Sequence, residues 1–338
     1  MAFILKVDGA AWRAAQDRTL ALFPGLVPVV KGNGYGFGRD LLCGEARRLG
    51  TSMIAVGTYV ELPEALAAFG EDVLVMEPYR AAIHADVPHL GHGRVVHTVT
   101  SYADLGDLRQ RQPDSRVVIE GLTSMNRFGA PIAELATLAD EARAEGVALH
   151  LPLGSGHVEE ISRFVEAAPD VTRWFVSHVG HDELEQLHAR FPGRDFRARI
   201  GTDLWLADRE AYEVLAHVLA VRRVAKGDRA GYRQRTLPDG YIVVVSGGTS
   251  HGVAMESPAS AATPRSRAIA VAEGVLEAAH HIRSPFTVSG TTPRFAEPPH
   301  MQCSLLVLPW DVAPPVVGEA VRVRMRLTTT YPDAVVVS

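Results

Sequence analysis

The sequence predicts an α/β protein: a parallel (β/α)8 TIM barrel followed by a smaller, mostly β domain. Three observations predict it. Eight short apolar runs rich in β-branched residues recur between residues 27 and 201 with helical patterns between them, the beat of βα units. The first run ends on a lysine and opens at once into a turn carrying four glycines. Past about residue 208 the beat changes to short strands separated by turns. The expected division is a barrel over 9–208 and a β-rich unit over 209–338 that also takes the opening strand, 1–8. A chain of 338 residues holds both.

In chain order, 3–7 alternates as a strand and 9–23 reads as an amphipathic helix. The barrel strands follow at 27–31, 53–58, 73–77, 95–100, 117–121, 147–152, 174–179 and 196–201. Helical patterns lie between them at 44–49, 61–69, 132–145 and 158–168. In the second unit, strands are expected at 218–224, 241–245, 303–308, 321–327 and 334–337. A loop is expected at 257–267, a helix at 269–281 and an irregular stretch at 285–299.

Composition narrows the class. With 47% apolar and 22% charged residues the chain reads as an ordinary soluble globular protein. A net charge of −5 without a basic tract argues against nucleic acid as a partner. No run approaches a membrane span, and the start is too quickly charged for a signal peptide, so a cytoplasmic enzyme is expected. Cys43 and Cys303 offer neither a disulfide framework nor metal-ligand spacing.

The chemistry is expected at the carboxyl ends of the barrel strands. A lysine at the inner end of an apolar strand is poorly solvated, and burial lowers its pKa toward that of a nucleophilic amine suited to a Schiff base. Lys31 holds that place, in Val30-Lys31-Gly32-Asn33-Gly34-Tyr35-Gly36-Phe37-Gly38. This segment resembles the cofactor-lysine motif of the alanine racemase family, barrel-type enzymes that use pyridoxal 5'-phosphate (PLP), with glycines as the small residues and Phe37 where the family has histidine.

The resemblance extends along the chain. It implies that Tyr35 donates to the cofactor phosphate. Thr123-Ser124-Met125-Asn126-Arg127-Phe128-Gly129 resembles the family's second landmark, which implies that Arg127 contacts the cofactor's phenolic oxygen and the substrate carboxylate. Seven positions earlier, where many members carry a carbamylated lysine that holds the arginine, Glu120 stands, and its carboxylate is expected to pair with Arg127. By strand count His150 matches the histidine that stacks on the cofactor ring, while His178, one strand later, has flanks closer to the family's wording. Ser177 ends the seventh strand, where family members place a phosphate-binding pair, and the resemblance makes it a candidate for that role. Arg199 matches the arginine facing the pyridine nitrogen, and Gly201 and Thr202 the backbone donors to phosphate.

In the second unit, Gly231-Tyr232-Arg233 resembles the segment around the family's catalytic tyrosine, and His300-Met301-Gln302-Cys303 resembles its Cys-Met-Asp segment, which implies that Met301 sits at the substrate carboxylate. The implied activity is racemisation of an amino acid by two bases, Lys31 and Tyr232, in a head-to-tail homodimer. Two departures stand out. Gln302 replaces an aspartate, and Ser246-Gly247-Gly248-Thr249-Ser250-His251-Gly252 replaces the segment carrying the tyrosine and aspartate at the site entrance. The rival readings are a barrel-type PLP decarboxylase, which would use Cys303, and a PLP-binding or partner-recognition protein without turnover.

Overall fold

A computed structural model describes residues 2–255 and 283–338; the expected loop 257–267 and helix 269–281 lie outside the described residues. The chain forms two compact units, Met1–Trp12 with Arg209–Ser338, and Arg13–Asp208. It opens with strand β1 (Phe3–Val7) and the helix Gly9–Leu22.

The second of these units is the barrel. Its strands are β2 (Val27–Pro28), β3 (Met53–Val56), β4 (Asp72–Pro78), β5 (Val95–Val99), β6 (Arg116–Gly121), β7 (Val147–Leu149), β8 (Arg173–Val176) and β9 (Asp195–Ile200). They pair in the order β2-β9-β8-β7-β6-β5-β4-β3, all parallel, and a bridge from Val29 to Ala55 joins the two ends of the sheet. Every expected barrel strand is present, most of them trimmed at the carboxyl end where the site loops begin. β2 is shortest because Pro28 has no N–H to give. The N–H groups beyond it divide between neighbours, Val29 to Ile200 at 2.8 Å and Val30 to Ala55 at 2.7 Å. The helix expected at 44–49 begins earlier, at Arg39–Arg48, and the one at 132–145 stops at Glu141. Arg143, with φ +46°, ends that helix.

Alternation along the strands decides what faces the barrel interior. Val27, Val29, Met53, Ala55, Leu74, Val96, Val118, Ala148 and Phe175 form one buried cluster, a contribution from nearly every strand. Continuing each strand in the same phase leads from Val29 to Lys31, from Val118 to Glu120, from Ala148 to His150 and from Phe175 to Ser177. The apolar interior therefore gives way to a polar layer at the carboxyl end.

The other unit is an antiparallel sheet. Its strands are β10 (Tyr212–Val224), β11 (Arg229–Ala230), β12 (Arg235–Thr236), β13 (Gly240–Ser246), β14 (Phe286–Thr287), β15 (Arg294–Phe295), β16 (Cys303–Pro309), β17 (Ala320–Val323) and β18 (Ala334–Val337). The main sheet runs β14-β17-β10-β13-β16-β15, with β1 beside β10 and β18 beside β1, while β11 and β12 form a separate hairpin. β10 begins six residues before the expected 218, because its first half pairs with β1 and β17 and its second half with β13. A register shift between Val218 and Ala220 marks the change of partner. The stretch expected to be irregular, 285–299, contributes two short edge strands, β14 and β15.

Asp333 ties this unit's ends together. Its carboxylate accepts the N–H groups of Ala2 and Phe3 at 3.1 and 2.9 Å and lies 3.1 Å from Nε2 of His251. Burial works against that charge, but the Phe3 N–H and His251 outweigh it and hold the carboxyl below its ordinary range. A depressed carboxyl contributes stability above its unfolded pKa and loses it as the pH falls through the folded one. Asp333→Ala should cost about 1 kcal/mol at pH 7, the net worth of a half-exposed hydrogen-bonded charge, and the gap to wild type should close in acid. Thermal melts at pH 7 and pH 3 check this, and coincident melts at pH 7 would remove the clasp.

Candidate active site

The glycine turn after β2 presents Lys31. Gly32, Gly34, Gly36 and Gly38 all take positive φ, between +60° and +87°, which a side chain tolerates poorly. Tyr35 itself takes φ +54°, and its ring is turned inward and buried. A methyl group on Gly201 would stand 1.9 Å from the Tyr35 hydroxyl, so only glycine admits that phenol against the end of β9. Burial, helped by the carboxylates of Asp203 and Glu61, pushes the Tyr35 phenol above its ordinary range, and it stays a neutral donor. Thr202 opens the short helix Thr202–Trp205 beside it and is exposed.

Glu61 clamps the lysine loop, a role the sequence reading missed. Its buried carboxylate accepts the N–H of Gly32 at 2.7 Å, of Gly57 at 2.6 Å and of Thr58 at 3.4 Å. The signal was available as Thr58 with Glu61 three residues on, a capping box before the helix Leu62–Ala68. Lys31 is exposed rather than poorly solvated as expected, because the glycine turn begins at it and leaves its side chain at the barrel mouth, although protein atoms crowd around it. Burial, then the positive charges of Arg127 and Arg199, lower its amine below the ordinary lysine range, opposed by Glu61.

Across the barrel mouth, His150 and His178 lie together, ring centroids 5.3 Å apart and nearly perpendicular. Burial and then Arg199 and Arg127 hold His150 down to about 3, so it is neutral at physiological pH. Burial also lowers His178, against the pull of Asp203. The Ser177 hydroxyl lies 3.1 Å from Nδ1 of His150 and accepts the Leu151 N–H at 3.1 Å, so it is engaged by neighbouring groups.

Arg199 is buried, with one Nη donating to the Leu149 carbonyl at 3.1 Å. Its Nε and Oε2 of Glu120 are both buried without a hydrogen-bond partner among the described residues. The expected Glu120–Arg127 pair is absent. Arg127 sits on the exposed loop that leaves β6 and returns to it at Ala130, and its guanidinium lies over the Phe128 ring at 4.8 Å. The side-chain direction explains this: Glu120 faces the barrel interior, where Arg199 is its strongest charged neighbour ahead of Arg127.

Tyr232 and Met301 lie in the other unit, on the wall of a cleft of about 540 Å³ that Arg233, Thr249, Glu297 and His300 also line. Tyr232 is 85% exposed and Met301 72%. The rewritten entrance segment is zipped backbone to backbone onto this wall, Thr249 N–H to the His300 carbonyl at 2.9 Å and Ser250 N–H to that of Met301 at 3.0 Å. Its His251 is spent on Asp333. Among the described residues, no group of three or more His, Cys, Asp or Glu could hold a metal ion.

Comparison with known proteins gives one consistent answer. The family described as "Alanine racemase, N-terminal domain" matches residues 10–178, half of the chain. Alanine racemase of Campylobacter jejuni subsp. jejuni, strain 81-176, is 25% identical over 252 residues, 68% of this chain and 72% of that one. Among solved structures, alanine racemase from E. faecalis has a TM-score of 0.72 at 17% identity over 100% of this chain and 98% of that one. Alanine racemase from Bartonella henselae, solved with covalently bound pyridoxal phosphate, has a TM-score of 0.71 at 16% identity, covering 100% and 99%. At these identities the structural likeness speaks for the fold.

Burial raises the Glu120 carboxyl above its ordinary range, opposed by Arg199, Arg127 and Arg80. A raised carboxyl is no burden below its unfolded pKa and costs stability as the pH climbs through the folded one. Glu120→Gln should therefore melt with wild type near pH 4 and above it at pH 8. The expected gain is about 1–2 kcal/mol, typical of relieving an unpaired buried charge. A variant less stable than wild type at pH 8 would mean that the arginines outweigh burial.

Proposed function

The chain belongs to the alanine racemase family, and from that membership we propose that it is a PLP-dependent amino-acid racemase. The observation that carries the reading is the convergence of a depressed, reachable Lys31 amine, the Tyr35–Gly201 cradle and the unpaired Nε of Arg199 on one end of the barrel. These residues fit PLP. Lys31 would bind it covalently, Tyr35 with the backbone of Gly201 and Thr202 would hold its phosphate, and Arg199 Nε has a donor free for a ring nitrogen. His150 would lie along the ring, with Ser177 fixing that imidazole. When bound, the cofactor supplies an electron sink that acidifies the substrate's α-proton.

The protein's own groups then divide the work. Lys31 Nζ holds the α-proton on one face of the substrate, and the phenolic oxygen of Tyr232 holds it on the other. Two bases on opposite faces are what inversion of a planar centre requires. Arg127, exposed on its loop and without an ion pair among the described residues, suits a substrate carboxylate, with Met301 packing near it in the proposed site. A phenol 85% exposed on its own unit suits a site completed in a head-to-tail homodimer, where it serves the barrel of a second copy. No described helix is long and apolar enough to cross a membrane, and a cytoplasmic location is part of the proposal.

Two measurements test the reading. Protein reconstituted with PLP and reduced with borohydride should carry the cofactor's mass on the peptide containing Lys31, and Lys31→Ala should not. Failure to take up PLP would end the proposal. With PLP bound, Tyr232→Phe should slow racemisation by roughly 10²–10⁴-fold, the usual worth of a positioned base. The loss should be one-sided: α-proton exchange with solvent persists for the D-amino acid through Lys31 and disappears for the L-isomer. Equal exchange of both at wild-type rate would make Tyr232 a bystander, and carbon dioxide release would point to decarboxylation.

A further inference from the structure

Tyr232 is 85% exposed, yet its surroundings are built. Glu297, only 3% exposed, sends its carboxylate under the tyrosine's own backbone and accepts the N–H of Tyr232 at 3.1 Å and, at the limit of bonding, that of Arg233 at 3.5 Å. Gly231 makes this possible. It takes φ +75°, and a methyl group there would stand 2.1 Å from the Glu297 carboxyl carbon. The same carboxylate accepts a hydrogen bond from Nε2 of His300 at 2.5 Å, and the His300 ring lies against the Tyr232 ring, centroids 4.5 Å apart and tilted by 38°. The remaining ring nitrogen, Nδ1, faces Cys303 Sγ at 3.9 Å.

One buried carboxylate thus grips the tyrosine twice, at its backbone directly and at its ring through an imidazole. We propose that Glu297 and His300 are positioning residues for Tyr232, a dyad that holds an otherwise free phenol in one orientation so that it meets the substrate's α-carbon. The inference rests on the role proposed for Tyr232 as second base. An exposed tyrosine without such a support samples several rotamers, and each competing rotamer is a state in which the base is absent. The bond to Glu297 fixes the hydrogen on Nε2 and so the plane of the His300 ring. That plane is the surface on which the phenol rests. Burial disfavours charge on Glu297, yet the bonds from His300 and from the backbone of Tyr232 and Arg233 hold its carboxyl below the ordinary range. The anion is therefore in place at neutral pH.

The test uses the full-length protein with 3-fluorotyrosine at its eight tyrosines, read by ¹⁹F NMR. The Tyr232 resonance is assigned by its disappearance in Tyr232→Phe. In wild type it should lie away from free 3-fluorotyrosine, displaced by the imidazole ring current. His300→Gln keeps a donor for Glu297 but removes the ring, and it should bring the resonance to the free position while the other seven stay in place. Glu297→Gln keeps an acceptor for the Tyr232 N–H and removes the charge under His300, and it should move the resonance part of the way. With PLP bound, both variants should lose roughly 10–100-fold in kcat for α-proton exchange from the L-isomer, the scale of a base displaced by about 1 Å. KM and exchange from the D-isomer should stay within about twofold of wild type. A Tyr232 resonance unmoved by both substitutions overturns the proposal, as does an equal loss for both isomers. If wild type exchanges neither isomer while the resonances shift as described, the dyad stands and the racemase reading falls.

Discussion

The two-residue period of a β-strand, applied to a closed parallel barrel, governs this molecule. Residues in the inward phase must fill a core that water does not reach, and Val29, Val118, Ala148 and Phe175 do so. The next inward position on those strands, one layer nearer the carboxyl rim, carries Lys31, Glu120, His150 and Ser177. Arg199 joins them from β9, where Phe196 and Ala198 are the outward-phase neighbours. Charges in such a layer are costly to desolvate, and the shifts follow. Lys31 is lowered, His150 is held neutral and Glu120 is raised, with burial the largest cause each time. The same geometry that builds the core therefore sets the protonation states of the site.

Much of this was legible in the sequence because strand phase and glycine pattern are local properties. The eight barrel strands, the lysine turn and the change of architecture near residue 208 all follow from periodicity and turn chemistry. Lys31, Tyr35, His150, Ser177 and Arg199 fall at the rim, where strand counting puts them. What escaped was set by contacts between distant segments. Glu61 lies 30 residues from Lys31 and reaches its loop only after the helix Arg39–Arg48 and strand β3 intervene. Glu120 looked like a partner for Arg127 because the motif aligns them, but the loop carries Arg127 outward while the strand points Glu120 inward. His150 and His178, on successive strands, have their rings 5.3 Å apart, a proximity that strand counting alone does not show.

The β-rich unit was harder to read for a related reason. β10 spans 13 residues because it serves three neighbours, and its buried alternation, Val214, Ala216 and Val218, runs through the first half and lapses in the second. The segment 246–252 looked like a lost entrance, with glycines and small polar residues in place of a tyrosine and an acid. Its glycines are needed for close packing: a methyl group on Gly248 would lie 2.1 Å from the His300 carbonyl oxygen. The rewriting thus exchanges side chains at the rim for backbone contact with the segment that carries His300 and Met301.

That exchange bears on how the chemistry is supported. Among the described residues the barrel unit carries six buried side-chain polar atoms without a hydrogen-bond partner, and two of them, Nε of Arg199 and Oε2 of Glu120, belong to groups that attract one another electrostatically without a direct hydrogen bond. Unpaired buried groups of this kind cost about 1–3 kcal/mol each and persist in folded proteins where a ligand or function compensates. In the other unit the polar groups around Tyr232 are paired with one another, Glu297 with the backbone and with His300. The contrast follows from what each unit must do. On the proposed function, a cofactor site has to leave donors open for a molecule that arrives later, whereas a base on an exposed loop has to be held still before anything arrives.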